Sequence, residues 1–258
     1  VQHGGQYGTA LWSYSEWHER MIADLYFTWG WSEDAKTIPM PAPWLTDAPP
    51  RAAVPGEILL VSTADARIPR QLFPAPLSGQ WETFFAQRES FLAALPPEAL
   101  AAARVRLFPV DFRWNERPRL QARFPGLRFS AGPMSASLSR AALVVTDHPG
   151  TTMLETLAWD IPSLHFWDDA LWESRPSARR AFEPLRRAGL VHAAPESAAR
   201  LAADVRRDPA AWWNAPAARE ARREFVRRYA RADPAWASEW TRVLREAAGR
   251  PARAKIPG

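Results

Sequence analysis

The 258 residues contain no cysteine, which excludes disulfides and thiolate metal sites and fits a reducing compartment. Lysine is almost missing too. Of 33 basic residues only Lys36 and Lys255 are lysines, so the net charge of +5 rests on guanidinium groups. No run approaches the roughly 18 consecutive apolar residues of a membrane span, and a cytoplasmic protein is expected. His-x-x-x-His pairs, Asp-x-Asp and clustered histidines are absent, so no metal site is expected. Neither a Walker A loop, nor G-x-G-x-x-G, nor a G-x-S-x-G elbow occurs. The basic balance favours anionic partners. Without an RNP, zinc-finger or helix-turn-helix signal, phosphates are expected and nucleic acid is not.

Aromatic residues and proline are plentiful. Fourteen tryptophans suit either core packing or carbohydrate stacking. Six of the 25 prolines fall between residues 37 and 56, and that density marks a connection between two units. Residues 1–50 therefore read as a remnant of a preceding domain plus a Pro-rich linker, 51–230 as a Rossmann-like domain, and 231–258 as a C-terminal helix and tail. Because residues 1–8 read as the middle of a motif, the chain is expected to be the C-terminal part of a longer protein. Helix is expected near 15–23 and strand near 25–29. Beyond the linker, strands (57–62, 105–108, 128–130, 143–145, 163–166, 190–192) alternate with helices (81–95, 135–140, 151–159, 177–188, 196–206, 216–231, 234–248). That alternation predicts an α/β fold with a Rossmann-like parallel sheet and helices on both faces.

The segment Thr146 to Trp167, TDHPGTTMLETLAWDIPSLHFW, carries most of the chemistry. An apolar strand ends at Asp147, His148, Pro149 and Gly150 break it, and Thr151-Thr152 open a helix. A helix that starts behind a parallel strand points unpaired N–H groups at the strand's carboxyl end, a ready anion site. Charge-assisted hydrogen bonds there contribute about 1.5–3 kcal/mol each, and the helix dipole adds roughly 0.3–1 kcal/mol. His148, Gly150, Thr151 and Thr152 are thus candidate phosphate ligands, with Glu155 one turn on as an acceptor for ribose hydroxyls. The alternative for Thr151 and Glu155 is helix capping.

The spacing Gly150-Thr151-Thr152, Glu155, Pro162 is similar to the C-terminal, donor-binding domain of GT-B glycosyltransferases, including the lipid-II-forming N-acetylglucosaminyltransferase. A fuller match resembles a family of transferases from bacterial surface-polysaccharide (O-antigen) gene clusters. It runs through QHGGQYG (Gln2 to Gly8), TWGW (Thr28 to Trp31), the central segment, HFW with Asp168, AGLVH (Ala188 to His192) and Trp212-Trp213. The resemblance implies metal-independent transfer from a nucleotide sugar, which is substrate and not cofactor, to a glycan or lipid-linked acceptor. In related transferases, including the glycerophosphotransferases of teichoic acid synthesis, an HG turn lies in the interdomain cleft.

His3, in the turn with Gly4 and Gly5, is an exposed imidazole suited to deprotonating a hydroxyl, and the resemblance makes it the candidate general base or a phosphate contact. Arg67, in the loop after strand 57–62, faces the same crevice as Gly150 in a doubly wound sheet and becomes a candidate phosphate contact, with Arg113 a weaker one. The helix 216–231 carries six arginines opposite Ala221, Phe225 and Tyr229, so it either docks on the body or touches anionic lipid at the inner membrane. Two alternatives to transfer stay open: a nucleotide-sugar epimerase of the same fold, and a noncatalytic nucleotide-binding fragment.

Overall fold

Ile58, Leu60, Leu143 and Val145 point to one face of a sheet, while Leu59, Val61 and Val144 point to the other, and both sets are buried. Strands buried on both faces read as unbroken apolar runs, the mark of a parallel sheet with helices on each side. The computed structural model describes residues 1–68 and 75–249, so the end of the expected tail lies outside the described residues. The six-stranded sheet comprises β3 (Val54–Val61), β4 (Ala103–Arg106), β5 (Arg128–Phe129), β6 (Ala141–Thr146), β7 (Ser163–Phe166) and β8 (Val191–His192), after a short pair β1 (Tyr26–Thr28) and β2 (Thr37–Pro39). Its order is β5-β4-β3-β6-β7-β8, and every pairing is parallel. This is the doubly wound Rossmann order, and its topological switch point falls between β3 and β6.

Helices α2 (Gln80–Ala94), α3 (Pro97–Ala102), α4 (Glu116–Arg123) and α8 (Pro195–Val205) supply apolar side chains to one face, and α5 (Met134–Arg140) to the other. Two of these, α3 and α4, escape the sequence pattern, as does β2. The Pro96-Pro97 pair stops α2, but Pro97 also opens α3, since proline at a first helical position loses no needed donor.

A third cluster unites residues 1–45 with the sheet domain. Tyr7, Tyr26, Trp29 and Trp31 pack in one core with Met153 and Leu157 of α6 (Thr151–Ala158), Phe182 of α7 (Pro176–Arg187), and Phe225 and Tyr229 of α10 (Pro216–Tyr229). Seven of the fourteen tryptophans lie in this cluster, so half of the unusual tryptophan content is explained by packing. Trp213, in the short α9 (Ala210–Trp213), is likewise buried, with its indole N–H donating to Asp160 and Arg222 stacked on its ring. Ala218, Ala221, Phe225 and Tyr229 of α10 are buried in this core, so that helix offers solvent mainly its charged side. The last helix among the described residues is α11 (Trp236–Ala248), whose Trp240 donates to Pro41 O. Helix α1 (Tyr14–Ile22) lies on the surface beside the N-terminal turn.

Candidate active site

At the switch point, the loops leaving β3 and β6 open into a cavity of about 570 Å³, and the His3–Gly5 turn lines it as well. His148, Gly150, Thr151 and Thr152 line it from the β6–α6 loop, and Arg106 from the end of β4. Three of the expected contacts lie elsewhere. Arg67 is exposed, with its guanidinium over the Trp114 ring at 5.6 Å, and is not in the lining. Glu155 is also outside the lining, half-buried, and burial pushes its carboxyl up to about 7. Arg113 is exposed. Among the described residues, the arginine that does reach the cavity is Arg106, fixed by Ser137 and the Gly132 carbonyl.

The β6–α6 loop stands on buried charge. Asp147 is wholly buried and accepts from Ser62 Oγ at 2.7 Å, Arg88 Nε at 2.8 Å and His148 Nδ1 at 2.9 Å. Burial alone would raise this carboxyl, but the Arg88 charge and the His148 and Ser62 hydrogen bonds hold it below the usual range. Arg88, also wholly buried, spends its other arm on Glu116, and Trp81 donates to the same carboxylate. An ionised carboxylate only accepts, so His148 carries its hydrogen on Nδ1 and its lone pair on Nε2. The Nε2 edge overlies Gly150, where a Cβ would stand 2.5 Å from it. A side chain there would have to push the imidazole off Asp147.

Thr151 does not cap α6. The cap position is Gly150, with no side-chain bond, while Thr151 Oγ1 accepts from Gly5 N at 3.0 Å. The capping alternative for Thr151 and Glu155 is therefore not realised. Gly5 approaches so closely that a Cβ on it would lie 2.4 Å from Thr151 N and 2.6 Å from Gly150 C. Backbone on both sides leaves no easy escape. Gly5→Ala is expected to lift the turn off the loop and destabilise the fold by about 1–3 kcal/mol, measurable by denaturant unfolding; an unchanged midpoint would mean the contact yields freely.

His3 belongs to a second cluster. Its Nε2 lies 2.7 Å from Glu19 Oε1 on α1, and Tyr7 and Tyr26 hydroxyls donate to the same carboxylate at 2.8 and 2.9 Å. Burial would raise Glu19, but these donors hold it low. With the hydrogen of His3 committed to Glu19, Nδ1 bears the lone pair, on a side chain 68% exposed. Sequence spacing places Glu19 sixteen residues away and does not reveal the pair. One further donor stands at the cavity wall: Trp172 is buried, and its indole N–H has no hydrogen-bond partner in the described structure. Buried donors are rarely left so.

Among the described residues no three His, Cys, Asp or Glu side chains gather as a metal cluster, and no helix is long and apolar enough to cross a membrane. No curated protein matches the chain. Among solved structures, one titled spinosyn forosaminyltransferase SpnP is similar at 19% identity and a TM-score of 0.44, covering 84% of this chain and 52% of that one. The chain thus spans about half the length of that structure. The family model for the LIC12162 family transferase matches residues 1–244, from the His3 turn through the Asp147–Thr152 loop to α11, and the chain belongs to that family of transferases.

Proposed function

We propose that this transferase moves a sugar from a nucleotide-sugar donor to a hydroxyl of a surface-polysaccharide acceptor, glycan or lipid-linked, without a metal and at the cytoplasmic side. One observation carries the reading: a single cavity is lined both by the N-terminus of α6 with an Asp147-held His148 and by a Glu19-held His3. In this reading the diphosphate rests on the first turn of α6, receiving hydrogen bonds from its N–H groups, the Thr151 and Thr152 hydroxyls and the orphan Trp172 N–H. Arg106, in the lining of the same cavity, offsets its charge. The acceptor oxygen attacks the anomeric carbon as the bond from that carbon to the diphosphate oxygen breaks. His3 Nδ1 takes the hydroxyl proton, and the diphosphate leaves with the electron pair.

Calorimetric titration with UDP, GDP, CDP and CMP tests the donor site. Binding of at least one is expected, and silence from all four sinks the proposal. Glu155 stands outside the cavity lining, one turn beyond Thr151, so a ribose role requires the donor to reach past the loop, and that role has its own signature. In the empty protein its carboxyl keeps its proton up to about pH 7, whereas ribose hydroxyls are best accepted by the carboxylate. This raised value also means that its contribution to stability, complete below the ordinary carboxylate range, is lost as pH rises through 7. The affinity ratio of the parent to Glu155→Gln should climb with pH by at most about tenfold per unit below 7 and level off above it. A ratio flat across that range removes Glu155 from the site.

A further inference from the structure

Helix α1 is built inside out. Tyr14, Trp17, His18, Met21 and Ile22 recur at the spacing of one helical stripe, and all five are exposed, with Trp17 at 52%, Met21 at 62% and Ile22 at 72%. The opposite, charged side faces the protein. Glu16 is 2% exposed and accepts from Gly8 N, Arg20 and Arg175; Glu19 holds His3; Arg20 reaches Glu33 and Asp34. Ordinary surface helices do the reverse, because exposing an apolar stripe forgoes its burial. The residues just before α1, Leu11 and Trp12, extend the exposed surface at 46% each.

We infer that this stripe docks on an anionic lipid bilayer. Tryptophan and tyrosine rings suit the headgroup level, and Leu11, Met21 and Ile22 suit the acyl boundary beneath it. A groove of about 610 Å³ beside the stripe joins Trp12, Trp17 and Met21 to Pro176, the first residue of α7, and its three acidic and three basic side chains balance, so the cationic charge lies on the helices beyond it. Helix α7 packs on α10, and the two expose seven arginines against three glutamates. The membrane contact foreseen for the α10 helix thus gains an apolar element that α10 itself lacks. A second consequence rests on the transfer reading: with Glu19 on the inner side of α1, His3 stands about one helix diameter, roughly 10–12 Å, from the lipid, which suits a lipid-linked acceptor.

Flotation of the full chain with phosphatidylcholine vesicles, with and without about a third phosphatidylglycerol, tests the docking. The parent should float with the anionic vesicles, and Trp17→Glu with Met21→Glu should lower the bound fraction at least tenfold. Circular dichroism checks that this variant folds, and Trp12→Glu with Ile22→Glu replaces it otherwise. Failure of the parent to float, or flotation of folded variants equal to the parent, overturns the inference. So does a dimer in light scattering that Trp17→Glu dissolves while vesicles are ignored, which would assign the face to a second copy. A protein that binds nucleotide but not vesicles overturns the docking alone, and one that binds vesicles but no nucleotide overturns the transfer reading alone.

Discussion

Replacing Arg88 by methionine should lower stability by about 3–5 kcal/mol, the usual cost of removing one partner from a buried ion pair. At about 2–4 °C per kcal/mol for a chain of this size class, the melting temperature should fall by roughly 6–20 °C. The cost arises from what stays behind. Asp147 and Glu116 are each paired at 2.8 Å with Arg88 and have almost no exposure, so the variant leaves two carboxylates facing each other's field without water. Neutralising both, as Arg88→Met/Asp147→Asn/Glu116→Gln, should recover a large part of the loss. A fall below about 1 kcal/mol for the single variant would show that the network relaxes onto water and is not the loop's foundation. The sign with pH is fixed by the low value of Asp147. Its contribution is present at neutral pH and is lost as pH falls below the carboxylate range, so the single variant should show a weaker acid-induced loss than the parent.

Replacing His3 by alanine should reduce turnover about 10²- to 10⁴-fold, the range for loss of a positioned general base. The assay is release of nucleotide diphosphate from whichever donor the titration identifies. KM for the donor should change little, because His3 touches the acceptor side of the proposed step. Glu19→Gln should give a smaller loss in the same direction. An amide donates as well as accepts, so it no longer holds the imidazole hydrogen on Nε2, and the Nδ1 lone pair is only partly retained. Unchanged turnover in His3→Ala would remove the imidazole from the chemistry and leave it a turn residue.

Much of the fold was legible because the sheet is simple. Apolar runs such as Glu57–Ser62 and Leu143–Val145 can be satisfied only by strands covered on both faces, and the alternation with helices then dictates parallel pairing. The Asp147–Thr152 loop was legible for the same reason, since it follows one such strand directly. Helix α3 was missed because the Pro96-Pro97 pair reads as a helix end, and α4 is a short helix with Pro118 in its first turn. The two histidine clusters depend on contacts between distant segments, which spacing does not encode. Arg88 is an instructive intermediate. It sits in the buried stripe of α2 with Trp81, Phe84, Phe85, Phe91 and Leu92, and a lone charge inside an apolar helical stripe is a visible sign of a buried partner.

The hydrogen bond from Gly5 to Thr151, with no room for a side chain between them, makes the His3 turn and the first turn of α6 parts of one solid piece. In the proposed transfer, the separation between the proton acceptor and the seat of the departing diphosphate is then a property of the folded chain and not of substrate closure. Ordering those two groups costs nothing at each turnover, and only the two substrates have freedom left to lose.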